Sequence, residues 1–274
     1  MPIPSLDPIR TLAQKIECFE ATKSVAHTGT GSRPEGKEFE HLIVTFWEAL
    51  SIIATGGGAQ VSMVRSESDS KLLYAKLDVG SRSLLIPATK PADRRYAKNR
   101  HRWLEVTFRV SDLIASFPTE EEAIRRYAPR EGQYSNGKYP NIYHDLTTKF
   151  DGTIVLVENG ILREKILLEY KTAKSSEKVR IDGNAHERLS FQIMQYLEVA
   201  TRYTKCSLVV MSNGAFVRYR NKYHVNFHVQ ADRLRNFSWF SMDHICTAIE
   251  YLEFTKSLLA WLFDGSERVS GVPS

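Results

Sequence analysis

The densest run of hydrophobic positions in the chain lies within residues 150–171 and predicts a β-hairpin. Two runs of β-branched and aliphatic residues, 152–157 and 166–168, flank Asn159-Gly160, a dipeptide typical of two-residue hairpin turns. Because the side chains of a strand alternate between two faces, the continuous apolar run 166–168 makes both faces of the second strand apolar. Such a strand is expected in the middle of a covered sheet.

Amphipathic patterns on either side of the hairpin predict helices. A third apolar run, 207–211, predicts another buried strand, and hairpin, helix and strand together form an α/β unit with a right-handed crossover. Residues 56–58 are all glycine and break the chain, and 59–78 indicate only weakly a strand and a surface helix. The predicted helices are 7–23, 36–50, 119–127, 184–200 and 242–263, with a loop over 24–36 and a further strand over 104–110.

Polar residues at the two ends of the hairpin suggest chemistry. Asp151 stands at the start of the first strand, and Glu169 and Lys171 end the second on one face, with Tyr170 opposite. Carboxylates from adjacent strands can hold Mg²⁺ through hard oxygen ligands and leave room for water and a phosphate. The lysine can orient or deprotonate that water, or stabilise the negative charge of the transition state. The alternative is a surface hairpin whose acid and lysine face solvent.

A further acid, Glu40, borders the apolar stripe of the helix predicted over 36–50. This position allows the carboxylate to reach the same cleft as the hairpin acids. The alternative is a solvated glutamate in a first helical turn, where the helix dipole favours negative charge.

Composition and charge narrow the functional class. The chain is 42% hydrophobic and 25% charged, as in a globular domain, and has neither an apolar run long enough for a membrane span nor a signal-peptide core. Three cysteines without C-x-x-C spacing argue against zinc and predict a reducing, cytoplasmic location. The formal charge of +5 favours a polyanionic partner.

Positive charge is concentrated in residues 89–103, where aromatic residues are interleaved with six cations and one acid. Such a segment can neutralise phosphates and reach into a groove of nucleic acid. The alternative is a solvated basic surface. The candidate DNA-binding cations are Lys90, Arg94, Arg95, Lys98, Arg100 and Arg102.

With these residues placed, the chain resembles the PD-(D/E)XK nuclease superfamily, and within it the type II restriction endonucleases. Asp151-Gly152 followed by Glu169 and Lys171 matches the D…ExK core, although Phe150 stands at the position usually held by proline. The resemblance implies a restriction-endonuclease-like α/β fold, in which α-helices flank a mixed central β-sheet. We expect one endonuclease domain over 1–274, with an N-terminal helical part at about 1–55 and a catalytic core at about 140–215.

The start of the helix over 184–200 resembles the recognition helix of EcoRI-type enzymes, which opens Gly-Asn-Ala-x-Glu-Arg. This implies base contacts in the major groove from Asn184, Ala185 and Arg188, with Glu187 buttressing Arg188. Gln192, four residues before Tyr196, also resembles the Q-x-x-x-Y helix of RecB-like exonucleases, where both residues line the catalytic cleft.

Together these resemblances imply a Mg²⁺-dependent type II restriction endonuclease that cuts double-stranded DNA at a specific short sequence. Asp151 and Glu169 would bind Mg²⁺, Lys171 would serve the attacking water, and Glu40 would lie near the metal. A homodimer is expected, because two-fold symmetry matches a palindromic site. The alternatives are a RecB-like exonuclease or repair nuclease, a non-catalytic DNA-binding protein, and an enzyme acting on a small anionic metabolite.

The recognition-helix resemblance predicts the effect of Arg188→Ala. The change should weaken binding to the cognate DNA by about 1–3 kcal/mol, and weaken binding to unrelated DNA less, because a base contact carries sequence information. Titrations of both duplexes at one salt concentration measure this. Equal losses on the two duplexes would make Arg188 a phosphate contact.

Overall fold

The computed structural model of the chain describes a seven-stranded sheet, a two-stranded sheet and three α-helices. Two compact units are present, residues 1–104 with 150–274, and residues 105–149. Each is considered by itself, and the expectation of one domain stays a prediction. The described residues are 5–20, 34–65, 73–88, 104, 107–108, 119, 146–147, 150–172, 193, 196, 205–216 and 242–266.

Nine strands occur among the described residues. Seven of them form one sheet in the order β1-β2-β3-β6-β7-β8-β9, while β4 and β5 pair antiparallel in the smaller unit. The β7–β8 and β8–β9 pairs are parallel and the remaining pairs of the large sheet are antiparallel, so this sheet is mixed. The strands are β1 (Gln60–Arg65), β2 (Leu73–Val79), β3 (Arg82–Ala88), β4 (Thr107–Phe108), β5 (Leu146–Thr147), β6 (Gly152–Glu158), β7 (Ile161–Lys171), β8 (Cys206–Ser212) and β9 (Met242–Ile245).

The predicted hairpin is confirmed as β6 and β7. Its turn is Asn159-Gly160, and both residues have positive φ angles, 51° and 72°, which a two-residue turn of the right twist requires. β7 lies inside the sheet between antiparallel β6 and parallel β8. Residues 166–168 are fully buried, as their apolar pattern predicted.

One face of the large sheet packs against three helices in a single hydrophobic core. The opposite face carries a second, smaller apolar cluster that includes Val64, Leu85 and Val155. The fold is therefore mixed α/β, as predicted. Of the described helices, none has both the length and the apolar character needed to cross a membrane. They are α1 (Asp7–Glu17), α2 (Pro34–Gly56) and α3 (Ala248–Asp264).

Several helices and strands begin or end at other residues than predicted, because strand pairing or helix capping sets those boundaries. The helix predicted over 7–23 ends at residue 17, and the one predicted over 36–50 extends from 34 to 56. Within 59–78, where a strand and a surface helix were predicted weakly, residues 60–65 form a strand, and residues 73–79 form a second strand where a helix had been an option. This second strand pairs with β1 and with β3, and β3 was not predicted. At the predicted strand over 104–110, the described residues 107–108 are extended.

The predicted C-terminal helix is also wrong at its start. Residues 242–245 form β9, which pairs with β8, and the helix begins only after Thr247. The Thr247 side chain accepts the Glu250 N–H, and the Glu250 carboxylate accepts the Thr247 N–H. This capping box fixes the first turn of α3 and separates it from the strand.

The capping box generates a stability prediction. Thr247→Ala should lower the free energy of unfolding by about 1 kcal/mol, because the N-terminal amides of α3 lose their acceptor. Thr45→Ala is the matched control, since the Thr45 hydroxyl donates within α2 to the His41 carbonyl and caps nothing. Urea unfolding of both variants measures the difference. Equal effects of the two changes would contradict the capping account.

Candidate active site

The antiparallel pairing of β6 with β7 brings the hairpin acids to one end of the sheet. Gly152 pairs with Leu168, so Asp151 lies beside the last residues of β7. The Tyr170 N–H donates to Asp151 Oδ2 at 2.7 Å. This backbone hydrogen bond holds the aspartate at the strand end, although Asp151 precedes Glu169 by 18 positions in the sequence.

Glu169 and Lys171 leave β7 on the face opposite Tyr170, as strand alternation predicted. The Lys171 ammonium donates to Glu169 Oε1 and forms an ion pair with it. Glu169 is only 2% exposed, whereas the lysine side chain keeps contact with solvent. The carboxylate is therefore held in the protein and the ammonium reaches it from the surface.

Glu40 joins this cluster from α2. Its carboxylate lies within electrostatic reach of Asp151, which raises the Glu40 pKa, and of Lys171, which lowers it. Burial of the carboxyl group is the largest cause of the net upward shift in its pKa. The structure thus brings together the four candidate residues of the predicted catalytic centre.

Loss of hydration on burial has the largest effect on the pKa of Glu169. Burial raises the pKa of Glu169 to about 7, the negative charge of Asp151 adds to this, and Lys171 opposes it. Its second oxygen, Oε2, is buried and makes no hydrogen bond among the described residues. When both acids are ionised, Asp151 and Glu169 together carry one more negative charge than Lys171 compensates.

Asp151 is exposed on one side, yet protein atoms crowd its carboxyl group. Burial of that group raises the pKa of Asp151, while the hydrogen bond from the Tyr170 N–H and the charge of Lys171 lower it. Two neighbouring acids whose pKa values both rise indicate a site that gains stability from an added cation.

The donor set fits a hard divalent cation. No group of three or more His, Cys, Asp and Glu residues within the described ranges is arranged to hold a metal. Mg²⁺, however, needs only one or two protein carboxylates, since waters and phosphate oxygens complete its octahedron. Asp151 and the unpaired Oε2 of Glu169 offer that minimal set.

Trp47, Tyr170 and Ser212 carry further buried polar atoms that were not predicted from the sequence. Within the described ranges, the buried side-chain atoms without a hydrogen bond are Glu169 Oε2, the Tyr170 hydroxyl, Trp47 Nε1 and Ser212 Oγ. Ser212 pairs in parallel register with Lys171, so both side chains leave the sheet on the same face. Ser212 could have been identified from the sequence, because it is a polar residue directly after the apolar run 207–211 that predicts a buried strand.

Tyr196 lies away from this end of the sheet. Its buried hydroxyl donates to the Cys206 carbonyl at 2.8 Å. Cys206 begins β8 and pairs with Lys165, whereas Ser212 ends β8 beside Lys171. The tyrosine of the Q-x-x-x-Y pattern therefore does not approach Asp151 and Glu169 here.

The candidate DNA-binding residues lie outside the described residues. They stay predictions from the sequence. They are Asn184, Ala185, Glu187, Arg188 and Gln192 of the helix predicted over 184–200, and Lys90, Arg94, Arg95, Lys98, Arg100 and Arg102 of the basic segment.

Comparison of the chain with family models, curated proteins and solved structures gives no match.

Burial of Glu169 predicts a pH dependence of stability in the absence of divalent cations. Its pKa is about 7 in the folded protein against 4.5 ordinarily, so the unfolded chain loses this proton first as pH rises. The contribution of Glu169 to stability should therefore fall by roughly 3 kcal/mol between about pH 4.5 and pH 7, and stay low above that.

Glu169→Gln isolates this effect, because the amide does not titrate. The free energy of unfolding of the variant, measured in EDTA, should increase relative to that of the wild type as pH rises through this window. A difference that is constant with pH, or that changes in the opposite direction, would contradict the burial argument.

Proposed function

We propose that the chain is a Mg²⁺-dependent nuclease that hydrolyses phosphodiester bonds of duplex DNA. The observation that carries this proposal is the convergence of Asp151, Glu169 and Lys171 at adjacent strand ends, with the buried Oε2 of Glu169 left without a hydrogen bond. A Mg²⁺ ion bound there would lower the pKa of a coordinated water and screen charge on the phosphate.

The protein groups have distinct roles in this reaction. Asp151 and Glu169 would hold the cation, and Glu40 would add negative charge at the rim of the same cluster. Lys171 would orient the attacking water, whose oxygen bonds to phosphorus as one phosphorus–oxygen ester bond breaks. Its ammonium is suited to this, because it remains partly exposed while bound to a buried carboxylate.

More specifically, we propose that this nuclease is a type II restriction endonuclease and that its sheet has a restriction-endonuclease-like arrangement. It is supported by the order of the central elements, an antiparallel hairpin that carries the acids followed by a parallel strand. The net charge of +5 suits a DNA partner. Homodimerisation would match a palindromic target, and cysteines that form no disulfide in the described structure suit the cytoplasm.

The RecB-like alternative receives no support from Tyr196, whose hydroxyl is bonded at the far end of β8. A non-catalytic DNA-binding protein would not need a lysine beside two acids of raised pKa.

Incubation with a circular plasmid and Mg²⁺ tests the proposal. Discrete fragments are expected from a sequence-specific endonuclease, whereas end-dependent loss of linear DNA would indicate an exonuclease. DNA that is bound and left intact would indicate a binding protein.

Site variants assign the chemistry to the cluster. Asp151→Asn, Glu169→Gln and Lys171→Ala should each reduce the cleavage rate by about 100-fold or more, since each removes a group that acts on the metal or the water. The matched control is Glu164→Gln, which alters a glutamate of β7 whose carboxylate accepts the Ser207 hydroxyl. It should cut at close to the wild-type rate.

Gel quantification of cleavage under single-turnover conditions supplies these rates. Undiminished cutting by the Asp151 or Glu169 variant would reject the site. A Glu164 variant as slow as the other three would mean that the losses reflect disturbance of β7.

A further inference from the structure

Tyr170 places its hydroxyl beside Gly152, the residue that follows Asp151 in the chain. This hydroxyl is buried and makes no hydrogen bond in the described structure. The oxygen lies over Gly152, where a Cβ atom would be only 2.8 Å from it and 3.0 Å from Pro87 Cγ. The absence of a side chain at residue 152, next to Asp151, thus leaves space that this hydroxyl occupies.

The indole N–H of Trp47 is a second unpaired polar group in the same region. Trp47 follows Glu40 by seven residues in α2, so the two side chains share a helix face two turns apart. The N–H approaches the Tyr170 hydroxyl and lowers its pKa as a weak hydrogen bond does, although neither group completes a hydrogen bond of normal geometry.

The Tyr170 hydroxyl remains a neutral donor at physiological pH. Burial raises its pKa well above 10, and the charges of Asp151 and Glu40 add to the shift. A neutral phenol can donate one hydrogen bond and accept another. It can therefore receive the Trp47 N–H and donate to a carboxylate oxygen.

Two buried tyrosines, Tyr251 and Tyr196, show a paired hydroxyl for comparison. The Tyr251 hydroxyl donates to the Ser212 carbonyl at 2.8 Å, and that of Tyr196 to the Cys206 carbonyl. Leaving a buried hydroxyl unpaired lowers the folding equilibrium constant by roughly tenfold. A phenylalanine at residue 170 would avoid this loss, so the hydroxyl at this position is expected to serve function.

We infer that Tyr170 is a positioning residue of the cation site: when a cation binds, its hydroxyl, unpaired in the described structure and supported by the Trp47 N–H, donates to the Asp151 carboxylate and fixes that carboxylate on the cation. The inference rests on the proposed function. The Tyr170 backbone N–H already binds Asp151 Oδ2. One tyrosine thus positions the aspartate through two groups.

The test compares Tyr170→Phe with Tyr251→Phe, a matched removal of a buried hydroxyl. In EDTA, the midpoint of thermal unfolding should stay equal or rise for Tyr170→Phe, which loses an unpaired group. It should fall by several degrees for Tyr251→Phe, which breaks a hydrogen bond.

The second readout is affinity for Mn²⁺, measured by electron paramagnetic resonance without DNA. Tyr170→Phe should bind Mn²⁺ about tenfold more weakly than the wild type, as expected when a group that orients a metal ligand is removed. Tyr251→Phe should bind it like the wild type.

Three results would overturn the inference: a loss of stability for Tyr170→Phe like that of Tyr251→Phe, an unchanged Mn²⁺ affinity, or a wild type that binds no Mn²⁺. The proposed function fails separately. A wild type that binds Mn²⁺, with weaker binding by Tyr170→Phe but no cleavage of DNA, would reject the nuclease and keep the positioning role.

Discussion

The constraint on which this molecule depends is the placement of two carboxylates, Asp151 and Glu169, at neighbouring strand ends. Burial removes part of the hydration of both carboxyl groups there. Burial raises the pKa of both, and the negative charge of Asp151 raises the pKa of Glu169 further. Lys171 compensates one of the charges. A proton or a second cation can compensate the other, and a divalent cation does so while also supplying chemistry.

The fold makes that placement rigid. β7 is an interior strand of a seven-stranded sheet, held by an antiparallel neighbour that brings Asp151 and a parallel neighbour that brings Ser212. Helix α2 contributes Trp47 from the core that covers one face, and Glu40 from its exposed surface. Side chains mounted on strands and helices keep their relative positions better than side chains on loops, as the proposed cation site would require.

The sequence was sufficient to predict the part of the site that depends on local pattern. The apolar runs around Asn159-Gly160 identified the hairpin, and strand alternation placed Glu169 and Lys171 on one face. The start of the C-terminal segment could not be predicted in this way, because the apolar pattern of 242–263 continues across the change from strand to helix. The proposed roles of Trp47 and Tyr170 could not be predicted either, since burial without a hydrogen bond is a property of tertiary packing.

The central claim is that Asp151 and Glu169 together bind a divalent cation. Crystals soaked in MnCl₂ and measured at the manganese absorption edge test this directly, because anomalous scattering locates the ion without reference to activity. The account predicts one strong anomalous peak within coordination distance of both carboxylates. Crystals without a peak there, or with the ion bound elsewhere and Lys171 still paired with Glu169, would contradict it.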